Sequence, residues 1–265
     1  MNPLHRLYER VLLAVVATVI VAAAAMTWWD ITQDYDSTRL ASSNLSLALT
    51  ESMEGHIAAT LRDAANAAVA AAALIENAGG LPGLGNEKRL HDELRRELPD
   101  HASTARLLVA DAAGRVLASS AEYPVASVSI ADASGSQWPA AHSGRMLSLG
   151  APQRSLIDGE YILPYVCAIR DRSGASVGAV RAELRIKPFL ETYRSIPSLS
   201  NGAVLVLSND GMTLMRAPFV EDFLGKRGAG IAQFLQDAVG NNRGSYEYTQ
   251  PRDGVVRYVS WLRMK

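Results

Sequence analysis

Cysteine occurs once in this chain of 265 residues, at Cys167, so no internal disulfide can form. A single cysteine without a histidine partner also makes no nucleophilic dyad, and its ordinary use is as a small buried apolar residue. An excess of charge is missing as well. Lys and Arg total 26 against 27 Asp and Glu, a net charge of −1, so there is no global electrostatic case for nucleic acid and no local basic stripe. Neither a Cys-x-x-Cys nor a His-Glu-x-x-His pattern is present, and His91 and His101 stand too far apart for one helical face. There is no Gly-x-Ser-x-Gly elbow, and the Gly-rich stretch 80–85 follows a helical segment and leads to no phosphate-binding helix. No metal, no cofactor and no enzymatic activity are therefore expected.

Charge is wholly absent from residues 11–29, VLLAVVATVIVAAAAMTWW. As a helix this run measures about 28 Å, close to the hydrocarbon thickness of a bilayer. Arg6 and Arg10 precede it, while Asp30, Asp34 and Asp36 follow. The basic end belongs in the cytoplasm, and Trp28 and Trp29 fall where interfacial aromatics sit. A cleaved signal peptide is the alternative, with Ala22 to Ala25 as a small-residue cleavage tract. The length of the run and the paired tryptophans favour an uncleaved anchor.

Proline is absent from residues 30–77 and glycine appears there once, at Gly55. Apolar residues recur at Leu45, Leu49, Met53, Ile57, Leu61, Ala65, Ala68 and Ala72, a helical spacing, and Ala64 to Ala73 is mostly alanine. One long helix of roughly 70 Å is predicted, its alanine face suited to close packing on a sheet or on a second copy. Homodimerisation through this helix is expected. Gly79-Gly80 end it, and a short amphipathic helix with Leu90, Leu94 and Leu98 on one face follows over 87–98. The Asn44-Leu45-Ser46 triplet matches a glycosylation acceptor but falls inside the predicted long helix.

Beyond residue 100 the chain repeats itself. ARLLVADAAGRVLA at 105–118 and GAVLVLSNDGMTLM at 202–215 each read as an apolar run, a polar turn ending in Gly, and a second apolar run. Each is a predicted β-hairpin, with Gly114 and Gly211 in matching places. A second pair of turns, Asp158-Gly159 and Asp253-Gly254, recurs in the same order at nearly the same spacing, which points to two copies of one sheet module. Strands are predicted over 145–153, 160–170 and 177–186 in the first copy, and over 244–250 and 255–263 in the second. Short helices are predicted over 189–194 and 229–238. No counterpart of strand 177–186 appears in the second copy, so its sheet is expected to be incomplete in this sequence.

The order of an apolar anchor, a long helix and two α/β modules resembles the double Cache sensors of bacterial transmembrane receptors. The closest likeness lies in 150–190: Gly150 and Pro152, Asp158-Gly159, YILPYV with Pro164, Gly174, GAVRAEL from Gly178, and Phe189. In the second copy, SNDGMTLMRAPF at 208–219 is similar to the family's turn, strand and Arg-Ala-Pro ending. The resemblance implies an α+β fold, with a transmembrane and stalk helix before two tandem PAS-like modules of antiparallel sheet. It divides the chain into a cytoplasmic tip and anchor (1–29), a stalk (30–80), a membrane-distal module (81–195) and a membrane-proximal one (196–265). It also implies an inner-membrane protein with its main domain in the periplasm. Its function would be small-molecule sensing for a cytoplasmic output domain, in the family's style a diguanylate cyclase. Histidine kinase and chemoreceptor outputs stay open, as does a secreted or tethered periplasmic binding protein or scaffold.

Ligand contacts are expected along strand 160–170, where Tyr161, Leu163, Tyr165 and Cys167 share a face by alternation. Arg154 and Arg185 suit a bidentate grip on an acidic group, and Trp138, flanked by Gly135 and Pro139, suits a lid. Family members commonly place an arginine just before the aromatic equivalent of Trp138, where this chain has Gly135, Ser136 and Gln137. They commonly carry an aspartate on the last strand of the distal module, where Arg185 stands, and arginine or serine near Cys167. The resemblance therefore does not imply an amino-acid ligand, unless Arg145 takes the arginine's place.

Overall fold

A computed structural model describes residues 3–81, 86–98, 105–131, 147–194, 202–228, 231–249 and 254–264. Trp138 and Arg145 lie outside them.

Helix α1 runs unbroken over Pro3–Asn77, as the lack of proline after its first residue permits. Contacts divide the chain within this helix, into residues 1–55 with 240–265 and residues 56–239. In the larger unit the predicted alanine stripe is buried: Ile57, Leu61, Ala64, Ala68, Ala71, Ala72 and Ile75 are all closed off from solvent. Met53 and Leu61 are thus already covered within the chain, while Leu45 is exposed. Helix α2 (Glu87–Glu97) is capped by Asn86, whose side chain accepts the Arg89 N–H. It turns Leu90 and Leu94 inward.

The larger unit contains an antiparallel sheet built from β1 (Ala105–Asp111), β2 (Val116–Ser119), β3 (Leu147–Leu149), β4 (Gln153–Arg154), β5 (Tyr161–Arg170) and β6 (Ser176–Arg185). Its order is β2-β1-β6-β5-β3, with β4 on the edge of β5. Strand β6 is central and pairs on both sides. Leu107 and Tyr165 both oppose Ala182, and Val109 and Cys167 both oppose Val180. Those residues make one apolar face together with Leu163 and Leu184. The end of helix α1 is tied to this sheet, since Glu76 accepts the Arg170 N–H at 2.7 Å, and Leu81, just beyond the helix, has its Cδ1 3.0 Å from where a Cβ on Gly178 would stand. The opposite face carries Arg106, Leu108, Ala110, Arg181, Glu183, Pro164 and Val166, with Ile130 packed on Leu108 and Ala110.

Helix α3 (Ile186–Arg194) follows β6, and its Tyr193 hydroxyl meets Nδ1 of His56 at 2.6 Å. The repeated hairpin then returns as β7 (Val204–Leu207) and β8 (Thr213–Ala217). The likeness of the copies reaches individual hydrogen bonds. The Gly114 N–H donates to Asp111 O and the Gly211 N–H to Ser208 O, both at 2.9 Å, and each hairpin has a bulge just before its turn. Even the bridges beyond the turns recur, Arg115 with Ser129 and Met212 with Arg227. A 3₁₀ turn (Glu221–Phe223) and helix α4 (Ile231–Asp237) complete this unit.

In the smaller unit, β9 (Arg243–Thr249) pairs with β10 (Val256–Leu262) as a separate hairpin. It is joined to α1 by Arg39–Glu247 at 2.5 Å and Arg243–Glu51 at 3.1 Å. Among the described residues no strand does for β7 and β10 what β6 does for β1 and β5, so the second copy's two hairpins stay separate sheets.

The repeated turn glycine is set by two constraints at once. Gly114 has φ +79°, and a Cβ there would lie 2.4 Å from Cβ of Ala131. At Gly159, φ is +73° but no atom lies within 4 Å of the added carbon. Gly159→Ala should therefore cost about 1 kcal/mol, the left-handed strain alone. Gly114→Ala should cost about 2–4 kcal/mol, because a steric clash adds to it. Urea unfolding of the two variants separates the contributions; equal losses would show that the Ala131 contact yields freely.

Candidate functional site

Charged side chains gather on the polar face of the main sheet. Arg106 on β1 and Glu183 on β6 oppose each other directly in the strand register, and Arg181 lies two residues back on the same face of β6. Arg106 is 2% exposed, Arg181 1% and Glu183 fully buried, so these are ions inside the protein. Burial of an ion is costly unless partners replace its water. Arg106 has such partners: Nε donates to Glu183 Oε2 at 2.7 Å, and Nη2 reaches Ser155 Oγ at 2.7 Å and Asp158 Oδ1 at 3.0 Å. Its Nη1 lies 3.6 Å from Glu122.

Local structure fixes each partner. Ser119 Oγ accepts the backbone N–H groups of Ala121 and Glu122, which aims Glu122 back over the sheet. Ser155 donates to Glu183 Oε2 and accepts the Ile157 N–H, tying the turn after β4 to the cluster. Asp158 accepts the Glu160 N–H in the Asp-Gly turn that the sequence marks. Arg181 is served differently. Its Nε lies 3.1 Å from Glu183 Oε1 but off the axis of a hydrogen bond, and neither atom has a hydrogen-bond partner among the described residues. Its Nη atoms face the side-chain amide of Gln153, which the network orients with oxygen toward both, 3.3 Å from Nη1.

The two guanidiniums respond oppositely. Burial disfavours charge at Arg106, but Glu183 and Asp158 outweigh it and its pKa is raised. At Arg181 burial dominates, Arg106 repels it as well, and its pKa is lowered despite Glu183. The Asp158 carboxyl, though partly buried, is held below its ordinary range by Arg106 and its turn hydrogen bond.

The sequence-derived candidates divide three ways. Tyr165 and Cys167 lie on the apolar face, away from the charges; burial pushes their pKa values up to about 12 and about 11, which leaves the thiol inert. Arg154 and Tyr161 meet at the β4–β5 edge around Glu221 of the following hairpin region. Arg154 Nη2 is 3.0 Å from both Glu221 oxygens, its guanidinium stacks 4.6 Å over the Tyr161 ring, and the Tyr161 hydroxyl donates to Glu221 at 2.5 Å. Arg185 is the candidate that shares the polar face with Glu183 and Arg181. Glu183, two residues earlier on the same face, is the acidic residue of this strand. Arg106, Arg181, Glu183, Ser155 and Gln153 escaped the sequence reading. The alternation of VRAEL reads as a solvent-facing row, and only the strand register brings Arg106 to it. Two surface grooves, one lined by Asp30, Asp34 and Ser37 and one by Asp63, Asn66 and Glu97, lie along α1 away from these charges.

No family model matches the chain, and no curated protein matches it in sequence. Solved structures share its fold. It is similar to the extracellular domain of rpHK1S-Z16, described as a histidine kinase, with 21% identity and a TM-score of 0.66 over 85% of this chain and 90% of that one. It is similar to the periplasmic sensory domain of the Campylobacter jejuni chemoreceptor Tlp1, with 12% identity and a TM-score of 0.60 over 82% and 88%. It is also similar to the ligand-binding domain of the Campylobacter jejuni chemoreceptor Tlp3 in complex with L-valine, with 13% identity and a TM-score of 0.54 over 84% and 88%. The fold is thus one used by extracellular sensor domains.

Removing Glu183 leaves two buried cations facing each other. Glu183→Ala should lose about 3–5 kcal/mol of unfolding free energy in a denaturant titration. The Arg154–Glu221 contact is exposed and adds little to stability, but it has a pH signature. The Tyr161 hydroxyl and then Arg154 hold the Glu221 pKa below its ordinary 4.5, so the contact is present above that value and is lost as pH falls through the lowered one. NMR titration of the Glu221 carboxyl should show this depression, and Arg154→Gln should reduce it.

Proposed function

We propose that this chain is the extracytoplasmic small-molecule sensor of a transmembrane signalling receptor, with no catalytic activity of its own. The observation that carries the reading is the buried ionic cluster on one face of a sheet whose fold recurs in sensor domains of receptors. An apolar trio of equal volume would hold that sheet as well as or better than buried ions do. A ligand-binding face needs convergent polar groups instead.

In this reading residues 1–29 form the cytoplasmic tip and anchor, 30–80 the stalk, 81–195 the membrane-distal sensing module and 196–265 the membrane-proximal one. Helix α1 is long and apolar enough near its start to cross a membrane. Trp28 and Trp29 are 73% and 71% exposed there, a surface suited to lipid. With Arg6 and Arg10 in the cytoplasm, the sensor faces the periplasm of a bacterial inner membrane. Ligand binding shifts the balance between two arrangements, which α1 passes to an output domain such as a diguanylate cyclase. Homodimerisation involves the part of α1 around Leu45, since Met53 and Leu61 are buried within the chain.

Two measurements test this. A thermal-shift screen of the full chain in detergent against a broad set of small metabolites should find a ligand. Saturation near 100 times Kd should raise Tm by about 5–10 °C. A flat response across the set would support a scaffold without ligand and sink the sensor reading. A cysteine at Leu45 should crosslink between copies in membranes, and its failure to do so would remove the dimer.

A further inference from the structure

Resting on the reading of the polar sheet face as the sensing site, we infer that its ligand is a small organic acid without an amine, held by Arg181. The ligand carboxylate takes the place that the Gln153 amide oxygen occupies.

A guanidinium stays charged at any physiological pH, so Arg181 brings a full positive charge into a site where it is 1% exposed. Its compensation is incomplete. Glu183 uses Oε2 for Arg106 and Ser155 and offers Arg181 only a misaligned approach through Oε1. The Nη donors rest on a neutral amide. An amide oxygen satisfies hydrogen-bond donors but cancels no charge. A carboxylate in the same position does both, and the two parallel donors of an arginine match its two oxygens.

The placeholder is built to move. Strand β4 has two residues, lies off the main strand path and pairs only with Ile162 and Tyr161 of β5. Displacing Gln153 therefore breaks little of the sheet. The adjacent residue is Arg154, which holds Glu221 in the region after the repeated hairpin. Entry of a carboxylate at Gln153 thus pulls directly on the contact that links the sensing sheet to the next element.

The same charges disfavour an amine. Glu183, the carboxylate beside Arg181, already lies between two guanidiniums, so an ammonium placed there would meet Arg106 and Arg181 at close range, and the other two carboxylates, Asp158 and Glu122, are engaged by Arg106. This separates the site from one suited to a zwitterion such as the L-valine bound by Tlp3.

The test uses the full chain in detergent and matched pairs differing only in the amine: acetate with glycine, propionate with L-alanine, 3-methylbutanoate with L-valine, succinate with L-aspartate. Calorimetric titration should show at least one acid binding about tenfold or more tightly than its amine-bearing partner. Arg181→Gln should weaken that acid by about tenfold or more, and Arg181→Lys, which keeps charge but not the paired donors, by less. Gln153→Ala should bind it as tightly as the parent or more tightly, since the competing oxygen is gone. Circular dichroism establishes that each variant is folded. An amino acid binding more tightly than its deamino partner overturns the inference. So does unchanged acid affinity in Arg181→Gln or, should that variant not fold, in Arg181→Lys, and so does a loss of acid affinity of about tenfold or more in Gln153→Ala. If no acid binds while another metabolite class does, the acid assignment falls and the sensor reading stands. If nothing in either set binds, both fall.

Discussion

Strand β6 is hydrogen-bonded along both edges, and this double pairing sets the position of nearly everything else in the larger unit. Through it β1 and β5, far apart in sequence, become parts of one surface. Because side chains alternate along a strand, the register that puts Val180, Ala182 and Leu184 on the α1 side also puts Arg181 and Glu183 on the other. A slip of one residue would drive both ions into the apolar face and set three core residues among the charges. The apolar core and the ionic cluster are therefore enforced by the same hydrogen bonds. The second copy illustrates the point by contrast: without a comparable strand among the described residues, its hairpins keep their internal geometry yet remain two small sheets.

The ionic cluster is an expensive way to stabilise a sheet. Each buried guanidinium or carboxylate loses its water, and the attraction between them recovers that loss only when geometry is good and lone pairs are filled. Arg106 meets that condition with four partners from three segments. Arg181 does not. The pair thus divides into a structural ion that organises the surrounding turns and a second ion with an unfilled electrostatic requirement.

The ionic cluster and the contact with Glu221 share a short piece of chain. In the six residues from Gln153 to Asp158, Gln153, Ser155 and Asp158 face the cluster, while Arg154 between them grips Glu221. Alternation along an edge strand places neighbouring residues in different environments, so a change at one is felt at the other. Tyr161 reinforces the arrangement by stacking under Arg154 and donating to the same carboxylate.

Much of this was readable from residues alone. The helix over 30–77, the turn glycines Gly114 and Gly211 and most of the strands rest on local chemistry: alanine and the absence of proline, positive φ, and runs of apolar residues; the one strand expected over 145–153 is instead two, Leu147–Leu149 and Gln153–Arg154. The odd strand 177–186 was also visible, because a duplicated pattern exposes what one copy has and the other lacks. The charged cluster was not, since VRAEL carries the pattern of a wetted strand face and Arg106 sits 77 residues away from Glu183. Local sequence determined which segments are helix, strand and turn, since those choices depend on neighbours within a few bonds. Tertiary structure alone decided that Arg106, Arg181 and Glu183 share a buried face and that Arg154 and Tyr161 turn to Glu221, because strand register and the covering of a face are set by contacts between distant parts of the chain.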